Sequence, residues 1–389
     1  MKRLPSVVAV LLLALGASAD SLTQADAPAA LGFLDHVTAP LSPTEEKAWW
    51  DVGGRQYGIF SKRYHIAFAG YAAAAFALRG DAETTNVAVR VLASCIRRYL
   101  RRDVWAYSQA KSYWGEKPWA PDPCWRENVM YTGHLLQLLA LYEWFSHDRR
   151  YHETGFDFVW SSEKRVHYTV EKLIGVTVDQ MRENACGGIT CEPNLVFFPC
   201  NNHPHVALRL FAKMGYGDWR PESRKWERWA LDNFARPLLG GGALNLVYHK
   251  PTGFFYPRGS AGLDGWSLLW YEAWAADRRS ATDLWKMAAA KIDWKNFGAP
   301  ADAKGGKGCL DPEPVPPSVA AAFLAAAARA CGDAPTAARL EKSVDAAYLV
   351  RKDGLLYLDL RHDWRLGATA MRFMALALAG GASFRELLR

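Results

Sequence analysis

The feature that most constrains the fold is a long succession of helical segments. Apolar residues recur at helical spacing in about twelve stretches from residue 62 onwards, with loops between them. Most stretches are apolar on one face, but 125–145 and 317–331 are apolar on nearly every face. Helices of the second kind must be enclosed by other helices. The pattern predicts an all-α fold, an (α/α)6 barrel or α/α toroid with an inner ring of helices inside an outer ring.

The periodicity also gives approximate boundaries. Helices are predicted at 62–78, 81–100, 125–145, 161–182, 205–214, 221–239, 266–276, 281–294, 317–331, 334–349, 366–379 and 383–388. Short strands are predicted in the loops, as a hairpin of 243–249 with 253–256 and as a strand at 355–360. No Pro- or Gly-rich linker is long enough to divide the chain. Residues 20–389 are therefore expected to form a single domain.

The first nineteen residues have the pattern of a secretory signal peptide. Lys2 and Arg3 make the start positive, residues 7–15 are apolar, and Ala17-Ser18-Ala19 is a small-residue cleavage site. We therefore expect 1–19 to be removed and the mature protein to be periplasmic or secreted. No later uncharged stretch is long enough to span a bilayer, so no membrane association is expected after cleavage.

Composition narrows the classes of partner. The chain has 47 Lys and Arg against 40 Asp and Glu, a formal charge of +7, and its basic residues are scattered. Such a distribution lacks the basic patch of a nucleic-acid-binding protein, so that class is excluded. The 17 Trp, 16 Tyr and 17 Phe instead indicate a large core and a cleft for an apolar or ring-shaped ligand.

The strongest local signal for chemistry is a segment rich in Pro and Asn, which is typical of a loop. It carries Cys191, Glu192 and Cys200, and His203 and His205 follow at once. Three interpretations stay open: a disulfide between the two cysteines, a zinc ion that they hold with one of the histidines, and thiol or carboxylate chemistry. Seven cysteines in an oxidising compartment leave at least one thiol unpaired in a monomer. Zinc is disfavoured because closely spaced ligand pairs are absent from the sequence here.

A second signal lies on the third predicted helix. Glu127, Met130, Tyr131 and His134 recur at helical spacing and share a face. Histidine is the side chain best suited to move protons near neutral pH. Gly133 costs a helix about 1 kcal/mol relative to alanine, so we expect something to approach its backbone closely. On its own, the pattern is more typical of a core histidine bonded to a carbonyl.

A third and weaker signal surrounds the start of the first predicted helix. Asp51 precedes a Gly-Gly turn that can direct its carboxylate inward, and Tyr57 and Tyr64 follow. A surface turn with a capping aspartate has the same pattern. The segment therefore indicates a functional site only in combination with the other two segments.

Together and in this order, the three segments resemble the linalool dehydratase/isomerase family. The family's E-N-I-M-Y-K-G-H is similar to residues 127–134. Its G-I-V-C-E-P-D, with a second Cys nine residues after the first, is similar to 188–194 with Cys200. Its K-Y-S-I-A-F resembles residues 63–68. The resemblance covers roughly residues 45–280, and the rest of the chain agrees by helix pattern only.

The resemblance implies an (α/α)6 barrel in the periplasm that assembles as a ring-shaped homopentamer. It also implies a cofactor-independent hydro-lyase and isomerase whose partner is a small apolar alcohol of the terpene type. The family's catalytic positions are matched by Asp51, Tyr57, Tyr64, His134, Cys191, Glu192 and Cys200, with Met130 at the position of a pocket-lining methionine.

Two departures from the family concern the pocket and a disulfide. Gly262 stands where the family has a pocket tyrosine, which enlarges that side of the expected site. Arg101 stands where the family has one half of a disulfide, and the segment with the other half is shorter here. The two halves of the family's disulfide are lost together, which is consistent with the alignment. These departures leave the identity of the alcohol open.

The expected chemistry follows from the poor leaving ability of hydroxide. A protonated cysteine can supply the acid, with Asp51, Tyr57 and His134 as its relay, and Glu192 or the other thiol can act as base. A thiolate attack that forms a thioether is the alternative. An apolar wall that excludes water is expected from Tyr64, Phe68, Met130, Phe197 and Phe198.

Two other functions stay open from the sequence. One is a carbohydrate-active (α/α)6 lyase, hydrolase or epimerase, for which Asp51 and Glu192 are the available acids. The other is a non-catalytic periplasmic binding protein with a Cys191–Cys200 disulfide. Neither a metal nor a cofactor is expected in the leading interpretation.

Overall fold

The computed structural model describes residues 21–51, 55–56, 59–106, 121–235, 239–240, 242–256, 258–292, 294, 317–360 and 364–389. Within these residues twelve helices form the barrel. The outer helices are α1 (Ala27–Thr38), α3 (Ala82–Tyr99), α5 (Val170–Glu183), α7 (Arg220–Phe234), α9 (Arg278–Ala290) and α11 (Ala334–Tyr348). The inner helices are α2 (Lys62–Ala77), α4 (Val129–Ser146), α6 (Phe198–Lys213), α8 (Ala261–Trp274), α10 (Pro317–Cys331) and α12 (Arg365–Ala379).

The inner helices form a closed ring. Each packs against the next, and α12 returns to α2. Every residue of α2 is buried, whereas the outer helices bury only one face. A Cβ on Gly265 would lie 2.7 Å from backbone atoms of Phe323 and Leu324, so α8 and α10 touch through their backbones. The predicted (α/α)6 architecture is confirmed.

Short strands occur in the loops and pair locally. The strands are β1 (Arg55–Gln56), β2 (Ile59–Phe60), β3 (Phe156–Val159), β4 (Arg165–Tyr168), β5 (Leu195–Phe197), β6 (Leu239–Gly240), β7 (Val247–His249), β8 (Phe254–Tyr256), β9 (Arg258–Gly259), β10 (Leu349–Lys352) and β11 (Leu355–Leu358). The largest sheet has the order β5-β7-β8, and the predicted hairpin is its β7-β8 pair. In the described part of the chain, no helix is long and apolar enough to cross a membrane.

Several predicted helix boundaries differ in the structure; among them, α7 ends at Phe234 and not at 239, and α8 begins at Ala261 and not at 266. Residues 161–168 do not begin a helix: Ser161 lies in the turn between β3 and β4, and the N-cap of α5 is Thr169. Helix α4 begins only at Val129, because Glu127 and Asn128 have positive φ and cannot continue a right-handed helix. The helix predicted from 205 begins at Phe198 instead.

The sequence interpretation also missed helical segments near the start of the chain. Helix α1 and the short helix Pro43–Trp49 precede the first predicted one. The short helices Arg102–Trp105 and Arg150–Glu153 lie in loops and were also missed, whereas the helix Phe384–Leu388 was predicted at 383–388. The predicted signal peptide, 1–19, lies outside the described residues.

A buried carboxyl holds the loop that leads into α8. Asp264 is 2% exposed, and its carboxyl oxygens accept the N–H groups of Ala243 and Leu244. Burial raises the pKa of Asp264 to about 7, although both hydrogen bonds oppose the shift. The folded protein therefore retains a proton here that the unfolded chain has lost.

This proton makes the free energy of unfolding depend on pH. The stability gained from protonated Asp264 is complete below the unfolded pKa of 3.8 and is lost as pH rises to about 7. We expect the free energy of unfolding to fall by up to about 1.4 kcal/mol per pH unit in that window. Urea unfolding of the wild type and Asp264→Asn at a series of pH values measures the difference, and identical slopes would contradict the assignment.

Candidate active site

The candidate site lies at the end of the barrel where the inner helices begin. Tyr64 and Phe68 are in the first two turns of α2, and His134 is in the second turn of α4. Cys200 is in the first turn of α6, and Trp266 is in the second turn of α8. The barrel thus brings residues that are far apart in sequence to one pole.

The Cys191 loop is fastened to the start of α6 by one amide side chain. Asn201 Oδ1 accepts the Ile189 N–H at 2.7 Å, and its Nδ2 donates to the carbonyls of Ile189 and Phe197 at 3.0 and 2.8 Å. The Cys191 N–H donates to the Leu195 carbonyl at 2.8 Å, which closes the turn that contains Glu192. The loop is therefore held at both ends.

This arrangement places two free thiols in contact. The sulfur atoms of Cys191 and Cys200 are 3.3 Å apart, and both residues are buried. Burial, the neighbouring Cys200 thiol and the charge of Glu192 raise the pKa of Cys191 well above its usual value. Cys191 is therefore a protonated thiol at neutral pH, and the disulfide interpretation does not describe this structure.

The position of Cys200 corrects the predicted loop. Residues 198–202 form the first turn of α6, with Pro199 in that turn, where its missing N–H costs no hydrogen bond. Pro204 lies inside the same helix and has no N–H for the Cys200 carbonyl. A Cβ on Gly133 would lie 2.9 Å from Pro204 Cδ and 3.4 Å from the Cys200 oxygen. Pro204 is thus the close neighbour that the glycine predicted.

His134 is a fully buried imidazole with one free nitrogen. Its Nδ1 lies 2.9 Å from Tyr71 Oη, and its Nε2 has no hydrogen-bond partner among the described residues. Burial, assisted by the Arg63 guanidinium, lowers the pKa of His134 well below its usual value. His134 is therefore neutral, and it bonds a phenol rather than the backbone carbonyl of an ordinary core histidine.

A second buried imidazole stacks on the first. The ring centroids of His134 and His203 are 3.7 Å apart. Trp266 Nε1 donates to His203 Nε2 at 2.8 Å, so the proton of His203 is on Nδ1, which donates to Gln137 Oε1 at 2.7 Å. Both nitrogens of His203 are thereby occupied.

These hydrogen bonds concern the zinc site that the sequence left open. His203 has no lone pair left for a metal, whereas His205 is bonded to Ser223 Oγ through Nδ1 at 3.0 Å and its Nε2 has no partner among the described residues. No group of three or more His, Cys, Asp or Glu residues in the described parts of the chain is arranged to hold a metal ion.

Aromatic rings form the wall beside His134. Tyr64 and Phe68 lie 5.3 and 5.1 Å from Trp266, centroid to centroid. Phe68 lies 5.2 Å from Phe323, and Tyr64 lies 6.0 Å from Trp364. The sequence predicted Tyr64 and Phe68 in this wall and missed the other three rings.

A cation also lies beside this wall. Arg63 is fully buried, with its guanidinium 4.4 Å from the Tyr64 ring and 3.4 Å from Met130 Sδ. The guanidinium lowers the pKa values of both His134 and Cys191, although burial raises that of Cys191 overall. Met130 thus contacts the guanidinium beside this wall, and the same charge acts on both His134 and Cys191.

Phe198 does not belong to the wall, although the sequence placed it there. Its ring packs against Trp226, Phe234 and Tyr271, between the inner and outer rings. Successive helical side chains point in different directions, so Phe198 faces outward where Cys200 faces the site. Phe197 is half-buried in β5, opposite Val247.

The remaining predicted residues lie at the rim or outside the description. Asp51 is 38% exposed at its side chain and is ion-paired with Lys62, which also contacts Asp103 at 2.8 Å. Gly262 is buried in the first turn of α8. Tyr57 lies outside the described residues.

The sequence analysis did not single out Tyr71, the partner of His134. Tyr64, Phe68 and Tyr71 follow each other at spacings of four and three residues, so they share one face of α2. That spacing was a usable signal for a third aromatic residue near the site.

Comparison with known proteins gives one family and one fold. A family model described as linalool dehydratase/isomerase matches residues 63–364. An unsaturated glucuronyl hydrolase from Bacillus sp. GL1 is 13% identical, with a TM-score of 0.53 over 92% of this chain and 97% of that one. A possible GH105 family member from Salmonella enterica is 12% identical, with a TM-score of 0.55 over 92% and 95%.

An alpha-1,6-mannanase of Salegentibacter sp. HEL1_6 is 11% identical, with a TM-score of 0.52 over 91% of this chain and 99% of that one. Identities of this size show a shared fold alone. They agree with the closed double ring of helices described above.

Proposed function

The chain belongs to the linalool dehydratase/isomerase family, and from that premise we propose that it dehydrates and isomerises a small allylic alcohol of the terpene type. The observation that carries the proposal is the contact between two free buried thiols, at the same pole of the barrel as a neutral imidazole with an unpaired nitrogen. Acid chemistry on an alcohol needs a proton donor that survives in a water-poor site, and Cys191 supplies one.

The proton balance of the reaction supports a thiol acid. As the allylic C–O bond breaks, the proton of Cys191 passes to the leaving oxygen, which gives water, a thiolate and an allylic cation. The leaving hydroxide is more basic than an ordinary thiolate, which favours the transfer, and the raised pKa of Cys191 works against it.

Two outcomes follow from the same cation. Loss of a proton from the adjacent carbon, to the thiolate or to Glu192, gives a diene. Return of water to the other end of the allyl system gives the isomeric alcohol and restores the thiol. A bond from the sulfur to the allylic carbon is the covalent equivalent of the cation.

The aromatic rings favour the cation, whereas burial opposes the Cys191 thiolate. Tyr64, Phe68 and Trp266 present ring faces and edges to the site, and aromatic faces attract positive charge. The Arg63 guanidinium lowers the energy of the Cys191 thiolate, although burial raises it overall. Exclusion of water prevents early capture of the cation.

A carbohydrate substrate has less support. Sugar hydrolysis by a carboxylate pair needs two acids across a cleft. Asp51 is ion-paired with Lys62 at the rim, and Glu192 lies next to the thiol pair. The structural neighbours that act on sugars share only the fold with this chain.

The proposal is tested by product analysis. Reduced, anaerobic protein is incubated with a panel of monoterpene and sesquiterpene alcohols and a matched panel of unsaturated uronosides and mannosides, and the products are identified by chromatography. Formation of dienes and isomeric alcohols is expected, and turnover of sugars alone would refute the proposal.

Gly262 predicts the size preference of the site. Because a glycine stands where the family has a pocket tyrosine, we expect alcohols bulkier than linalool to be turned over as well. Gly262→Tyr should lose the bulkier alcohols at least about tenfold more than the monoterpenols. A wild-type protein that accepts only monoterpenols would contradict this expectation.

Location and assembly complete the proposal. We propose removal of residues 1–19 and a periplasmic or secreted location, because those residues have the pattern of a signal peptide, and we propose a homopentamer on the strength of the family resemblance. Mass measurement of the mature protein in solution tests the two together.

A further inference from the structure

We propose that Tyr71 and His203 are positioning residues that hold His134 as a neutral imidazole with its proton on Nε2. His134 then meets the substrate oxygen as a hydrogen-bond donor and not as a base. The catalytic part of this inference rests on the proposed function, whereas the position of the proton can be measured in the resting protein.

The first step is the direction of the Tyr71 hydrogen bond. Tyr71 is fully buried, and burial raises the pKa of its hydroxyl well above the usual value, so the phenol keeps its proton. Tyr71 Oη lies 2.9 Å from His134 Nδ1 and 3.4 Å from the His134 carbonyl oxygen. The shorter contact has the geometry of a strong bond, whereas 3.4 Å is at its limit. The phenol has one proton to donate, and Nδ1 is the nearer of its two acceptors, so we infer that Tyr71 donates to Nδ1 and that the proton of His134 is on Nε2.

The second step is the restraint from His203. Trp266 already donates to His203 Nε2, so His203 cannot take up a second proton there without breaking that bond. The His203 ring centroid lies 3.7 Å from that of His134 with the planes tilted by 34°, and this contact restrains the His134 ring. Burial and the neighbouring imidazole lower the pKa of His203 and keep it neutral. Tyr71 stacks on both imidazoles, at 5.9 and 5.5 Å.

The third step concerns the ionisable groups that surround His134 and His203. The ionisable groups around them are Arg63 and Tyr64 on α2, Cys95 on α3, Cys191 in its loop and Cys200 on α6. Of these, Arg63 is the cation, and it opposes an imidazolium at His134. No described acidic side chain contributes to the pKa of His134 or of His203, so the neutral form is favoured from every side.

The Nε2–H group of His134 is therefore a hydrogen-bond donor that discriminates between the alcohol and the diene. A buried N–H without an acceptor is costly, so Nε2 favours a ligand with an oxygen lone pair over a hydrocarbon. The alcohol satisfies this donor and the diene does not. The same atom therefore assists binding of the substrate, polarisation of its C–O bond and release of the product.

The decisive measurement is the tautomer of His134. Long-range proton–nitrogen NMR of protein labelled with 15N-histidine should show Nε2–H in the wild type throughout about pH 5.5–8. His134→Asn identifies the signal. An Nδ1–H tautomer or an imidazolium at neutral pH would overturn the inference, whether or not any alcohol is turned over.

The kinetic test uses Tyr71→Phe with Tyr271→Phe as its matched control. Tyr271 is a fully buried tyrosine on α8 whose Oη donates to Glu227 Oε1 at 3.0 Å, and its ring packs on Phe198 between the inner and outer rings. Tyr71→Phe should mix the two tautomers and lower kcat about tenfold or more, with a smaller rise in KM, because the donor bond strengthens as the C–O bond breaks. Tyr271→Phe should keep both the tautomer and kcat.

An unchanged tautomer in Tyr71→Phe would overturn the role of Tyr71. If no alcohol reacts with any variant, the proposed function fails while the NMR result still decides the inference. Should Tyr71→Phe not fold, the wild-type spectrum alone decides between the two tautomers.

Discussion

Alanine at Cys191 or at Cys200 is expected to lower turnover of the alcohol by at least about a thousandfold. The two sulfurs touch at 3.3 Å in a buried site, and the raised pKa of Cys191 keeps its proton available. Loss of either sulfur removes the acid or its partner. The measurement is the rate of diene formation by reduced protein, with circular dichroism as a check of the helices.

Cys331→Ala is the matched control for this experiment. Cys331 is also a free, buried thiol, but it lies at the last residue of α10, at the opposite end of the barrel from the site. Its removal should leave turnover within about twofold of the wild type. Retained activity in either site variant would exclude thiol chemistry as the source of the reaction.

The second large effect concerns stability. Asp345→Ala is expected to lower the free energy of unfolding by about 3–5 kcal/mol. Arg372 donates to both carboxylate oxygens of Asp345 at 2.8 and 2.6 Å, and the two side chains are 2% and 0% exposed. The same carboxylate accepts the Leu22 N–H at 3.0 Å. The variant leaves a buried guanidinium without its counter-charge.

An exposed ion pair provides the control for that experiment. Asp283 and Lys286 are 3.1 Å apart with side chains about 70% exposed, so Asp283→Ala should cost less than about 1 kcal/mol. Urea unfolding of both variants gives the comparison. Equal small losses in the two variants would show that Asp345 and Arg372 are not coupled in the folded protein.

The periodicity of apolar residues was sufficient to predict the architecture, because buried inner helices are apolar on nearly every face. The limits of α10 were predicted correctly, and those of α12 differ by one residue at the start. The prediction failed at 161–168, where the helical pattern of α5 was extended back through a polar turn. Hydrogen bonds between β3 and β4 decided that segment, and they join residues that local propensity treats separately.

The candidate site residues were predicted one at a time, but the hydrogen bonds and contacts between them were not. The resemblance pointed to His134, Cys191 and Cys200, and the structure supplies the contacts of each. Tyr71 was missed because helical spacing shows which residues share one face of a helix but not which residue of another helix they contact. The role of His203 depends on Trp266, which is 63 residues later in the chain, and no local pattern predicts such a bond.

The closure of the inner ring has a consequence for how the chain is made. Helix α2 is covered on one side by α12, which is the last barrel helix to leave the ribosome. A nascent chain therefore presents the apolar flank of α2 to its surroundings until α12 has been synthesised. Holding chaperones are expected to bind that flank, and a truncation before α12 should be captured by them far more than the full-length protein.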